Sequence, residues 1–321
     1  MNLLSCEEIG HHFSSISEVE DFESTTIASC VFNTVLSYTA IMLNIVTIHA
    51  IRKSLSLPMT LKTLLLSLAV SDAGVGLLGQ PILVSILVNW LQQNNPGCNM
   101  YRAFIFNGHL FSSASFLSVV AVSLDRFLAI HLHLRYQELV THKRVVAVVI
   151  LIWVWSLFAS FSMMWLSLAI FSLIAAVIGI FGFLLTTMVY IRIYSTVRRH
   201  KNQIQALQVQ QRVQAGEGAA FAGLISSAGG VFYVYLVFLI CYLPFYISLV
   251  VYKSNDPNVT MKKFFLFALT LLYLNSSLNP VMYCWKMKHI RQAVINILRD
   301  MTWLRSRASH ETLPLSGHTM Q

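Results

Sequence analysis

Residues 145–191 read VVAVVILIWVWSLFASFSMMWLSLAIFSLIAAVIGIFGFLLTTMVYI, 47 residues without one Asp, Glu, Lys, Arg or His. As a single helix at ~1.5 Å per residue this stretch would be ~70 Å long. That is more than two hydrocarbon thicknesses of ~30 Å, so the chain crosses a bilayer twice here. Two crossings of ~20 residues leave only a short turn between them. The turn falls near Ser162–Ser172, with Trp165 as an interfacial anchor.

Five more apolar runs flank this pair, over roughly 27–51, 60–88, 100–127, 224–252 and 264–285. The fold class is therefore an all-α membrane protein, a bundle of seven transmembrane helices. Composition agrees: 56% of the 321 residues are apolar and 11% charged, against ~45–50% and ~25% in soluble domains. A water-soluble enzyme, a disordered chain and a disulfide-stapled module are all excluded. The five cysteines form no CxxC pair.

Charge sets the orientation. Residues 1–30 hold six acids and no Lys or Arg, while 18 of the 22 Lys and Arg fall in 52–62, 126–144, 192–212 and 286–307. By the positive-inside rule the amino terminus is outside and the carboxyl terminus inside. Opposite sides require an odd number of spans, in agreement with seven. The net charge of +9 is thus topology and not a nucleic-acid footprint. The expected organisation is an acidic extracellular tail over 1–26, a membrane domain over 27–285, a short amphipathic cytoplasmic helix over 286–300 and an inner tail over 301–321. No cleavable leader is expected, the first span serving as its own insertion signal.

Polar residues inside spans are costly in lipid and face the bundle interior or each other. Asp72 lies mid-span two in LSLAVSD, Asn44 in span one and Ser115 in span three. Asn275, Ser276, Ser277 and Asn279 cluster in LNSSLNPVMY of span seven. A single serine is equally well explained by helix–helix hydrogen bonding; a buried carboxylate is not.

These residues, in order, resemble the rhodopsin-like (class A) G-protein-coupled receptors over about residues 27–300. Asn44, LSLAVSD, Asp125-Arg126-Phe127, Trp153, Tyr190, Cys241-Tyr242-Leu243-Pro244 and Asn279-Pro280-Val281-Met282-Tyr283 each stand where the family has its span marker. Beyond them, Ile290, Val294, Ile297 and Leu298 give 286–299 one apolar face, similar to the family's helix 8. Gly182 in place of the span-five proline and the nearly absent second outer loop resemble the melanocortin, lysophospholipid and cannabinoid branch, while the inner end of span five, Tyr190-Ile-Arg-Ile-Tyr-Ser-Thr-Val-Arg-Arg, resembles the adenosine receptors.

The resemblance implies roles. Asp72, Ser115, Asn275, Ser276 and Asn279 would hold an allosteric sodium ion, with no other metal or cofactor. Arg126, held at rest by Asp125, would meet a heterotrimeric G protein, with Leu134 of the second inner loop packing into it. Tyr190 and Tyr283 would supply rearranging contacts, and Phe238, Tyr242, Pro244 and Pro280 the activation hinge. Span six offers no acid near Ala220–Leu224, Glu217 being nearest, which implies a weak resting lock and some constitutive signalling.

The ligand is approached by exclusion. Gly108 stands where amine receptors carry Asp, Tyr273 where opsins carry Lys, and Leu249 where adenosine receptors carry Asn. The remaining pocket is Gly108, His109, Ser112, Phe245, Tyr246 and Tyr273, with Tyr242 and Gln80 nearby, suited to a small neutral, lipid-like or peptide ligand. The family's loop disulfide cannot form; Cys98 pairs with Cys30, pairs with Cys6, or stays free. The sequon Asn258-Val259-Thr260 lies on the outer side. A chemosensory receptor of the same fold is the alternative. A transporter is disfavoured by the lack of internal repeats, and an intramembrane enzyme by the lack of paired catalytic groups.

Overall fold

The computed structural model describes residues 19–54, 57–132, 135–162, 168–208, 215–254, 258–287, 290–297 and 299. Among these, seven helices are long and apolar enough to cross a membrane. Span one is Val19–Lys53, span three Cys98–Leu132 and span four His142–Ser162. Spans five, six and seven are Leu168–Gln208, Ala215–Ser254 and Val259–Lys286. Span two comes in three pieces: α-helical Met59–Gly74, a π-helical turn Val75–Gly79 and α-helical Gln80–Leu91.

Span three is the axis. It packs against spans two, four, five and six, while spans one, two, six and seven close the ring around it. Its apolar window is 61% buried, against 22% for spans one and four, which lie at the rim. Hence the polar residues of span three meet protein, whereas the exposed Val31, Phe32, Ile150 and Leu151 of the rim spans face outward.

The uncharged stretch does cross twice: one helix ends at Ser162 and the next begins at Leu168. Trp165 lies outside the described residues. Helix ends differ from the apolar runs because a helix need not stop where the lipid does. Span one starts at Val19 and not 27, carrying acidic residues in its first turns. Span seven starts five residues before the apolar run, since Asn258 caps it by accepting the Met261 amide at 2.9 Å. The π-turn of span two was not expected from the sequence. The Ser37 hydroxyl of span one donates to the Gly76 carbonyl in that turn at 2.8 Å.

Pro244 and Pro280 both sit inside their helices. Residues 290–297 are helical, with Ile290 and Ile297 buried and Arg291 and Gln292 exposed, the amphipathic pattern expected. Leu298 and the tail from 300 lie outside the described residues. Cys98 is disulfide-bonded and Cys30 is a free thiol, which removes both the Cys98–Cys30 pairing and the free-Cys98 alternative. The remaining pairing involves Cys6, which lies outside the described residues.

Candidate functional site: a buried carboxylate, an aromatic column and an inner arginine

Asp72 is fully buried at the centre of the bundle. The Ser115 hydroxyl donates to its Oδ1 at 3.1 Å, and the Asn279 amide donates to its Oδ2 at 2.7 Å. The Ser276 side chain also faces this carboxylate. Asn44 donates to the Ser276 carbonyl at 2.9 Å, fastening span one to the same turn of span seven. The structure therefore brings four of the five expected sodium-site residues together. The fifth, Asn275, is buried one turn before Asn279 on span seven, and both its side-chain polar atoms lack a hydrogen-bond partner among the described residues. Among the described residues the Asn279 and Asn44 amide oxygens and the Tyr283 hydroxyl are buried without a hydrogen-bond partner as well. An unmet buried polar group costs about 1–3 kcal/mol. The Asp72 carboxylate and the unmet amide and hydroxyl oxygens are the ligand types that a hard monovalent cation takes.

At the inner end of span three, Asp125 and Arg126 are almost fully buried. Arg126 Nε donates to Asp125 Oδ2 at 3.0 Å, and Nη2 of the same guanidinium makes a still closer ion pair with that oxygen. The other carboxylate oxygen accepts the Tyr136 hydroxyl at 2.6 Å. Tyr136 lies in the single helical turn Tyr136–Leu139 of the second inner loop, and its oxygen is also 3.0 Å from the Thr60 hydroxyl of span two. Burial, with the Asp125 carboxylate next in effect, pushes the Tyr136 phenol up to about 12. The sequence reading missed Tyr136, because a tyrosine in a polar loop carries no signal of what it reaches. Leu134 lies outside the described residues, as do the side chains of 220–224 and Glu217.

An aromatic column runs between spans three, five and six. Tyr242 and Phe238 stack at 4.0 Å between centroids and 18° between planes. Phe116 of span three lies 6.0 Å from Phe238 and 6.3 Å from Tyr242. Lower down, Tyr190 stacks on Tyr235 at 5.3 Å and shares a 3.1 Å contact with the Ser123 hydroxyl. Phe116 was not among the expected residues. Its clue was Gly182, the missing span-five proline: a Cβ there would come within 2.5 Å of the Phe116 ring.

The expected pocket residues fall in two groups. Tyr242 donates to the Ser112 carbonyl at 3.2 Å, and Tyr246 stands 6.4 Å from Tyr242 and 6.2 Å from Phe245. The Tyr273 hydroxyl instead lies against Gly79 and Gly108, 3.6 and 3.4 Å from where their Cβ atoms would be. His109 is half-buried on span three beside Gly108. Gln80 is buried, and both its amide atoms lack a hydrogen-bond partner among the described residues. A separate apolar crevice of about 270 Å³ between spans six and seven is lined by Ser248, Val251, Thr260, Met261 and Phe264, none of them an expected pocket residue.

Seven spans around a central third helix, a buried Asp72 tied to spans three and seven, and an inner Asp-Arg pair define a membrane receptor. The profile of the 7 transmembrane receptor (rhodopsin family) matches residues 43–283, and the chain belongs to that family. It is similar to melanocortin receptor 4 of Danio rerio, 25% identical over 84% of this chain and 83% of that one. It is likewise similar to the histamine H2 receptor of Canis lupus familiaris, 27% identical over 83% and 78% of the two chains. The adenosine receptor A2a of Canis lupus familiaris is 24% identical over 86% of this chain and 74% of its own.

Proposed function

We propose that this receptor lies in the plasma membrane with its amino terminus outside. There it binds an extracellular small neutral, lipid-like or peptide ligand and activates a heterotrimeric G protein through Arg126 and the inner loops. The observation that carries this reading is the buried Asp125–Arg126 pair at the inner end of the central helix, capped by Tyr136 of the second inner loop. A buried ion pair is costly to assemble and strongly destabilised by loss of one partner. Here it is placed where a docking protein could exchange one partner for another. The inner segments, rich in Lys and Arg, support the orientation and offer a cationic face to that partner.

The ligand class follows from what the outer half offers. Gly108 places no carboxylate opposite Tyr273, so a cationic amine would lack a counter-ion there. Phenols, rings and one uncharged amide suit a neutral group with an apolar body. We further propose Asp72, Ser115, Asn275, Ser276 and Asn279 as a sodium site that favours the resting form. Bound there, sodium would supply the positive charge that the Asp72 carboxylate lacks among its hydrogen-bond partners.

The reading is tested by expressing the full chain and following activation of each G-protein class, with and without lipid, nucleoside and peptide libraries. Activation that requires surface expression and is lost in Arg126→Ala supports it. No activation of any class, basal or ligand-driven, at verified surface expression would overturn it.

A further inference from the structure

Lys286 is the last residue of span seven. A lysine at a span end ordinarily extends toward the aqueous interface. Here its ammonium lies 3.8 Å from the centroid of the Tyr233 ring of span six and 3.8 Å from that of its neighbour Trp285. The two rings stand 5.9 Å apart, so one cation is held between rings from two different spans. The backbones are close at this level too. A Cβ on Gly230, three residues before Tyr233, would lie 3.3 Å from Met287 Cγ and 3.4 Å from Lys286 Cβ. The contact continues inward: Tyr233 meets Phe232 at 6.0 Å, and Phe232 meets Tyr190 of span five at 5.0 Å.

Span six has no cation of its own to offer at this end, since no Lys or Arg occurs between Arg212 and Lys253. Arg126 is engaged by its neighbour Asp125. A cation above an aromatic face is attracted by the ring's quadrupole. The charge therefore comes from span seven and the π-face from span six.

We propose that Lys286, Tyr233 and Trp285 are positioning residues: a cation–π clamp that holds the inner end of span six against the end of span seven and so sets the resting level of G-protein activation. The proposal rests on the coupling reading above, and its test separates the two. Full-length receptor in lipid nanodiscs is compared by hydrogen–deuterium exchange across 229–240, alongside basal G-protein activation in cells. The variants are Lys286→Met, Lys286→Arg, Tyr233→Leu and Tyr233→Phe. Lys286→Met and Tyr233→Leu should speed exchange by about fivefold. Lys286→Arg and Tyr233→Phe, which keep the cation and the ring, should stay near wild type. Basal activation should rise in the first two only. The same exchange pattern with no activation, basal or ligand-driven, from any form, wild type included, leaves the clamp standing and overturns the coupling reading. Unchanged exchange in both Lys286→Met and Tyr233→Leu, or equal acceleration in Lys286→Arg, overturns the clamp. Faster exchange with measurable but unaltered basal activation overturns its control of the resting level. Should Lys286→Met fail to fold, the Tyr233 pair carries the same comparison.

Discussion

Phe116 of span three fills the space that Gly182 of span five leaves open: a Cβ at 182 would lie 2.5 Å from Phe116 Cζ and 2.7 Å from Cε1. The ring also meets Phe183 at 5.1 Å and Phe238 at 6.0 Å, so it cannot retreat without moving span six. Alanine in place of glycine gains about 1 kcal/mol of helix propensity. Overpacking a closed core costs about 1–3 kcal/mol. Gly182→Ala should therefore lower thermal stability, and a second change, Phe116→Leu, should restore part of it. A thermal-shift series on purified receptor in detergent checks this; a Gly182→Ala form as stable as wild type would contradict the packing.

Asp72→Asn should be at least as stable as wild type in sodium-free buffer. The change removes a buried charge while keeping the shape that Ser115 and Asn279 address. Wild type should gain thermal stability as sodium replaces a large organic cation at fixed ionic strength, and Asp72→Asn should gain little. Equal sodium sensitivity in the two forms would rule out the site.

The spans, their orientation and the order of polar residues were legible because each rests on local chemistry. A 47-residue uncharged run or an aspartate amid leucines needs no partner to be understood. What stayed hidden depends on distance across the bundle. Lys286 and Tyr233 are 53 positions apart, and nothing in either neighbourhood reveals that they touch. The π-turn of span two left only Gly76 and Gly79 as signs, and glycines in a span have many readings. The expected pocket was legible as a composition of rings and phenols. Its division into a Tyr242–Tyr246 group and a Tyr273 group depends on how spans two and three meet span seven.

Arg126→Ala should abolish most G-protein activation, a loss of about tenfold or more in initial rate at matched surface expression. It should also cost stability, because Asp125 keeps its bond from Tyr136 but loses its cation in a nearly buried site. Nucleotide exchange on reconstituted G protein reads the first effect and thermal shift the second. Full activation in Arg126→Ala would contradict the receptor mechanism.

Tyr136→Phe removes one hydroxyl from that cluster and leaves the Asp125–Arg126 pair whole. The lost bond joins a phenol to a carboxylate, an interaction of about 1.5–3 kcal/mol. The variant should therefore melt lower, and its second inner loop should exchange amide hydrogens faster. Basal activation should rise if the loop restrains Asp125 at rest, since Thr60 then loses its contact with the loop as well. The pH dependence has a definite sign. Burial raises the phenol from its ordinary value near 10 to about 12 in the folded protein. Its contribution to stability is thus fully present below pH ~10 and is lost as pH rises through about 12. The difference in melting temperature between wild type and Tyr136→Phe should accordingly stay constant from pH ~6 to ~9. A difference that also failed to shrink between pH ~10 and ~12 would mean that the phenol has the same pKa folded and unfolded, open to solvent and not held beneath Asp125.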